Sequence, residues 1–117
     1  MNHSIGIDIV DVEDFNKRIK RTINLVKHLF TDYEINYCKK KSIEHLASRF
    51  AAKEAFKKAI NLSNISWHDA EVRNFSSGKP YLKINPKILK QLKIKSIDVS
   101  ISNIKKLAVA VVIVNYN

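Results

Sequence analysis

The chain has 117 residues, 45% of them hydrophobic, and carries a formal charge of +10 from 21 Lys and Arg against 11 Asp and Glu. That is enough for one compact domain over residues 1–117 with a real core, without surplus. The single cysteine, Cys38, excludes an internal disulfide and a multi-thiolate zinc centre, and His3, His28, His45 and His68 show no HxxxH or comparable ligand spacing. The longest apolar run, Leu107 to Val114, is about half of what a membrane-spanning helix needs. With no basic n-region leading into an apolar h-region, a cytosolic protein without membrane insertion is expected.

The first sixteen residues hold four acids and no base, whereas Lys17 to Lys58 contains twelve basic and four acidic residues. Such a field attracts polyanions: nucleic acid, an acidic protein, a phosphate-rich cofactor or an anionic membrane surface. The plainer explanation is lysine drift on solvated faces.

In chain order, Ser4 to Val12 reads as a strand, with Ile5-Gly6-Ile7-Asp8-Ile9-Val10 apolar on nearly both faces and therefore interior. A helix follows from Glu13 or Asp14 to about Val26, with Phe15, Ile19 and Ile23 at helical spacing. Thr31-Asp32-Tyr33-Glu34 matches a capping box and opens a second helix carrying Ile35, Tyr37 and Cys38. Ser42 caps a long helix to about Ile60, and a loop spans Asn61 to Ser66. Ala70–Phe75 and Tyr81–Ile84 form a hairpin across the turn Ser76 to Lys79, and Pro86 starts a short helix to Leu92. Ile97, Val99 and Ile101 point one way and Asp98, Ser100 and Ser102 the other. A short turn then leads into Leu107–Val114, a strand expected at the centre of its sheet. Ala108 and Ala110 leave room there for a closely packed helix. Helices grouped between an N-terminal strand and a C-terminal antiparallel set make an α+β domain, a long helix on a small, mostly antiparallel sheet.

Two acids break these patterns. Asp8 interrupts the β-branched run, and Glu54 falls on the same side of the long helix as Ile43, Ala47 and Phe50. A buried ionised carboxylate needs a partner, and one hard divalent cation would satisfy both. The alternatives are a turn or edge-strand acid at Asp8 and, at Glu54, a surface ion pair with Lys58 one turn on, worth a few tenths of a kcal/mol.

Gly6-Ile7-Asp8-Ile9-Val10, Phe30-Thr31-Asp32-Tyr33-Glu34, Arg49-Phe50-Ala51-Ala52-Lys53-Glu54-Ala55, Gly78-Lys79-Pro80 and Val99-Ser100-Ile101-Ser102 together resemble the holo-acyl-carrier-protein synthase family, single-repeat 4'-phosphopantetheinyl transferases. The resemblance spans essentially the whole chain. It implies a 4'-phosphopantetheinyl transferase-like fold and Mg²⁺-dependent transfer of the 4'-phosphopantetheine arm of coenzyme A to a serine of an acidic apo-acyl carrier protein. Adenosine 3',5'-bisphosphate would be released, in the service of fatty acid biosynthesis. It also implies a homotrimer with active sites between subunits.

Within that resemblance Asp8 and Glu54 are the metal ligands. Lys58 is a catalytic residue with Glu54, acting as a cation near the pyrophosphate rather than as a base, since a basic lysine needs a strongly depressed pKa. Arg49 and Lys53, at i and i+4 on one flank, are candidate contacts for coenzyme A phosphates, or else a solvated basic face. Gly78, Lys79 and Pro80 offer a turn that a ligand can approach and a lysine for phosphate. Ser100 and Ser102 would line the adenine or phosphate side, or be simply exposed.

Two departures stand out. Asn103 occupies the place after Ser-Ile-Ser where the family often has His. Asp11-Val12-Glu13-Asp14 replaces a stretch that usually carries a carrier-binding arginine, with Lys17, Arg18, Lys20 and Arg21 following. The rival class is a small nucleic-acid-binding domain, suggested by charge alone, without zinc-finger spacing, an RNP-like strand or a GXXG loop. A degenerate transferase kept as an interaction protein is a third reading.

Overall fold

The computed structural model describes residues 2–60, 62 and 64–117, so Asn61 and Ser63 of the expected loop lie outside the described residues. Three strands form an antiparallel sheet in the order β1 (His3–Asp11), β5 (Leu107–Tyr116), β4 (Ile94–Asn103), with β5 in the centre as its apolar run requires. Two shorter strands, β2 (Ala70–Asn74) and β3 (Pro80–Ile84), make a separate hairpin. The long helix α4 (Ile43–Ile60) lies against one face of the larger sheet.

Small residues set that contact. Ala51, Ala52, Ala55, Ala108 and Ala110 are fully buried, and a Cβ built on Gly6 would stand 1.9 Å from the Ala55 carbonyl oxygen. Only glycine permits so close a crossing of β1 under α4. The helix is enclosed on most sides, which explains why its periodicity does not single out one core face: Ser48, Arg49 and Lys53 are as buried as its alanines, while Phe50 and Glu54 are half-buried.

Three expectations need correction. β1 is an edge strand, not an interior one: Gly6, Asp8 and Val10 face α4, whereas Ile5, Ile7 and Ile9 point away and are 65%, 59% and 63% exposed. A run apolar on both faces signals double burial, and among the described residues nothing covers the second face. The single helix expected to reach Val26 is two. α1 (Val12–Arg21) is capped by Asp11, whose carboxylate accepts from the Asp14 N–H at 2.9 Å. It ends at an extended Thr22, and Asn24 takes a left-handed φ of 64° before α2 (Leu25–Leu29). Asparagine is among the few residues that tolerate that conformation. Ile23, assigned to the apolar side of the first helix, falls in this break and is 87% exposed.

The capping box at Thr31 and Glu34 opens α3 (Asp32–Cys38), and Pro86 occupies the first turn of α5 (Pro86–Leu92), both as expected. Cys38 is buried, and burial pushes its thiol up, so it packs rather than reacts. A 3-10 turn at Trp67–Asp69, capped by Ser66, was not anticipated.

Candidate active site

The approach of β1 to α4 at Gly6 carries Asp8 to the flank of the helix, where the Asp8 side chain is only 13% exposed. The Lys58 ammonium donates to Asp8 Oδ1 at 3.0 Å and to the Ile7 carbonyl at 3.2 Å. Lys58 therefore reaches across to β1 instead of pairing with Glu54 one turn away, and among the described residues no ion pair forms at Glu54. Asp8 and Glu54 open onto one cleft of about 410 Å³, which Asp11, Asp14 and Arg18 also line from the start of the sequence and from α1, with Trp67 on the far wall. Four carboxylates and one arginine in a chain of net charge +10 make the cleft a local sink for a cation.

The donor chemistry discriminates among metals. Among the described residues no group of three or more His, Cys, Asp and Glu is gathered to hold an ion. Zinc is normally held by three or four such side chains. Magnesium needs only one or two carboxylates, completing its octahedron with water and substrate phosphate, so Asp8 and Glu54 fit it.

Lys53 does not lie where a phosphate contact requires. It is 1% exposed, and its ammonium is consumed by Glu34 Oε1 at 2.5 Å, the Leu29 carbonyl at 2.8 Å and the Trp67 carbonyl at 3.0 Å. Glu34, fully buried, accepts in addition from the N–H of Thr31 at 2.9 Å and of Val72 at 2.7 Å. Burial pushes the Lys53 ammonium down from the ordinary lysine range, and the Glu34 carboxylate opposes this. The i, i+4 spacing from Arg49 is real, but both positions turn into the protein because α3 and β2 cover that flank of α4. The solvated-face alternative fails for the same reason.

Arg49 is 4% exposed. Its guanidinium lies 4.3 Å from the Tyr37 ring centre, Nη2 donates to Asn74 Oδ1 at 2.5 Å, and Nε has no partner among the described residues. No carboxylate pairs with it among the described residues.

The Gly78-Lys79-Pro80 segment forms the β2–β3 turn, as expected, with Gly78 at φ 93°. Lys79 and Pro80 line a different groove, about 290 Å³ against Ile97, Asp98 and Val99 of β4. Ser100 and Ser102 are exposed on the sheet face turned away from α4, opposite Val111 and Val109 of β5. A single copy thus brings together Asp8, Glu54 and Lys58, and leaves the turn and the two serines outside their cleft. Asn103 donates from Nδ2 to Ser48 Oγ at 2.9 Å, tying the β4–β5 turn to α4.

The family model of the 4'-phosphopantetheinyl transferase superfamily matches residues 4–112. A holo-[acyl-carrier-protein] synthase of Geobacter sulfurreducens is 44% identical over 117 residues, covering 92% of this chain and 93% of its own. That of Halothermothrix orenii is 43% identical, covering 97% of both. The chain belongs to the holo-[acyl-carrier-protein] synthase family. The Helicobacter pylori holo-[acyl-carrier-protein] synthase, solved in complex with coenzyme A, superposes with a TM-score of 0.89 at 30% identity, over 95% of this chain and 99% of that one. The Bacillus anthracis enzyme, solved with CoA (3',5'-ADP), gives 0.82 at 32% identity over 97% and 96%. Family membership makes this protein a 4'-phosphopantetheinyl transferase, and the α+β architecture is that of the synthases.

Sequence reasoning missed the roles of three residues that pack around this candidate site. Glu34 reads as a cap and nothing more, because its second role depends on Lys53 and Val72 arriving from other elements. Trp67, stacked on Phe50 at 5.4 Å, is a lone aromatic without periodic context. Asn74 ends a strand, where asparagine is commonplace; its partners are set by the fold alone.

Proposed function

We propose that the chain transfers 4'-phosphopantetheine from coenzyme A to a serine of an apo-acyl carrier protein, releasing adenosine 3',5'-bisphosphate, with Mg²⁺ held by Asp8 and Glu54. The observation that carries this reading is the convergence of those two carboxylates, from a strand and a helix far apart in sequence, on one cleft with Lys58 on its edge. The serine oxygen attacks the phosphorus that bears the pantetheine. The bond from that phosphorus to the bridging oxygen breaks, and the nucleotide leaves with the bridge. The serine proton passes to a carboxylate of the site or to water. Bound Mg²⁺ would neutralise charge on the pyrophosphate oxygens, the main demand of phosphoryl transfer. Lys58, more than half exposed at the rim, supplies a positive charge beside Asp8 that can stabilise the phosphate as charge develops.

Arg49 supports a phosphate-binding role because it is a buried guanidinium without an anionic partner, and an anion would offset that cost. Gly78, Lys79 and Pro80 are assigned to coenzyme A in the same reading. Ser100 and Ser102 would join only if a neighbouring copy meets their face. Ile5, Ile7 and Ile9 pair across β5 with Ile113, Val111 and Val109, which gives a continuous apolar face beside those serines. Exposed patches of this kind mark association surfaces, and they support the homotrimer with sites between copies. The carrier protein, being acidic, is assigned to the exposed Lys17, Arg18, Lys20 and Arg21 of α1.

The test is a mass measurement. Purified protein with coenzyme A, Mg²⁺ and apo-carrier protein should add the pantetheine arm, and Asp8→Ala or Glu54→Ala should abolish the addition. No mass increase across a range of carriers and divalent ions would remove the assignment.

A further inference from the structure

Asn74, the last residue of β2, is the only bridge among the described side-chain hydrogen bonds between the buried charge of Arg49 and the turn Gly78-Lys79-Pro80. Its Oδ1 accepts from Arg49 Nη2 at 2.5 Å, and its Nδ2 donates to the Gly78 carbonyl at 2.9 Å. The orientation of the amide follows from its partners. A guanidinium only donates and a carbonyl only accepts, so the reversed amide would face a donor with a donor and an acceptor with an acceptor.

Gly78 is thereby held from both sides. Its N–H donates to the Phe75 carbonyl at 2.8 Å, and its own carbonyl receives Asn74. The Phe75 N–H closes the turn on the Lys79 carbonyl at 2.9 Å, which fixes the backbone of Lys79 while leaving its side chain exposed. Without the asparagine, the turn would keep only its own local hydrogen bonds. Such a turn closes but has lost its side-chain tether to α4, whereas Arg49 is held in the helix against Tyr37.

We propose that Asn74 is a positioning residue for coenzyme A, registering the Gly78-Lys79-Pro80 turn against Arg49 on α4 so that the two phosphate-seeking cations are presented at a fixed separation. The inference rests on the coenzyme A reading of that turn. It requires Asn74 to act as acceptor and donor at once, and this is what the test separates. A merely structural asparagine serves only to satisfy Arg49, a task aspartate performs at least as well.

Asn74→Ala and Asn74→Asp are assayed for steady-state transfer and, without carrier protein, for coenzyme A binding by calorimetry. Asn74→Ala should raise the KM and Kd for coenzyme A about tenfold, the usual consequence of losing a positioned hydrogen bond, with kcat and the KM for carrier protein within about twofold. Asn74→Asp, which keeps Arg49 paired and places a second acceptor against the Gly78 carbonyl, should fold as well as the parent yet bind coenzyme A as poorly as the alanine variant. Full recovery of coenzyme A affinity in Asn74→Asp, unchanged affinity in both variants, or a loss from Asn74→Ala that is undiminished in a Lys79→Ala background, where no turn cation remains to be registered, overturns the proposal while leaving the transferase reading intact. A parent protein that neither binds coenzyme A nor labels a carrier overturns the reading and the proposal together.

Discussion

Lys53 provides the sharpest test, because its place in the sequence and its place in the fold imply opposite phenotypes. Lys53→Met keeps most of the volume and removes the ammonium. Three acceptors then lose their donor: Glu34 Oε1, and the carbonyls of Leu29 and Trp67. Glu34 retains two backbone N–H groups but stays fully buried and loses its counter-charge. Removing one partner of a buried ion pair typically costs about 3–5 kcal/mol. Small domains are stable by only about 5–15 kcal/mol, so the loss should be visible as a fall of roughly 12–20 °C in melting temperature.

The measurement is urea unfolding followed by circular dichroism, with the KM for coenzyme A taken at a temperature where the variant stays folded. Glu34→Leu alone should cost a similar amount. The double variant Glu34→Leu/Lys53→Met should be more stable than either single one, since neither charge is then stranded. KM should move by less than about twofold in the folded variants. A Lys53→Met protein within about 1 kcal/mol of the parent that has nevertheless lost coenzyme A affinity would refute this reasoning and return Lys53 to the ligand set.

Gly6→Ala should unfold the chain or cost at least about 3 kcal/mol, because the added methyl meets helix backbone at 1.9 Å; a soluble variant with parental melting temperature would contradict the close β1–α4 crossing. Ile7→Lys, on the uncovered sheet face, should leave the fold intact and convert any oligomer to monomer in light scattering, and an unchanged mass would count against self-association through that face. Burial pushes the Glu71 carboxyl up, but the nearby Thr31 hydroxyl and the Arg73 guanidinium, which donates to it at 2.6 Å, together hold it below its ordinary value of 4.5. Its folded pKa is thus the lower one, so its stabilisation is complete above the unfolded value and is lost as pH falls through the folded value. Glu71→Gln should therefore flatten the acid limb of stability between about pH 5 and pH 3, and an unaltered limb would show that the Glu71–Arg73 pair contributes nothing.

Where a residue's environment comes from its own element, the sequence is a sufficient guide. The capping box at Thr31, Pro86 in the first turn of α5, the alternation Ile97 to Ser102 and the central β5 all follow from nearest neighbours in one strand or helix. The failures share the opposite property. The break at Thr22–Asn24 has no glycine or proline to announce it, and the residue in the left-handed conformation is an asparagine that a helix also accepts. The exposure of Ile5, Ile7 and Ile9 cannot be read from a pattern that describes what a strand is fit to bury, not what one copy of the chain supplies.

The same distinction sorts the candidate site. Asp8 and Glu54 are detectable because each violates its local pattern, and a violation points outward to a partner that the element lacks. Arg49 and Lys53 violate nothing: a basic pair at i, i+4 is normal helix surface, and only coverage by α3 and β2 turns it into interior. Lys53 is matched there by Glu34, whereas Arg49 is left without a carboxylate and with a buried N–H unspent. The two residues differ by one turn of the same helix, so it is the presence or absence of an internal anion, and not burial, that separates a structural cation from one that awaits a ligand. By that criterion Arg49 keeps its place in the proposed coenzyme A site and Lys53 leaves it.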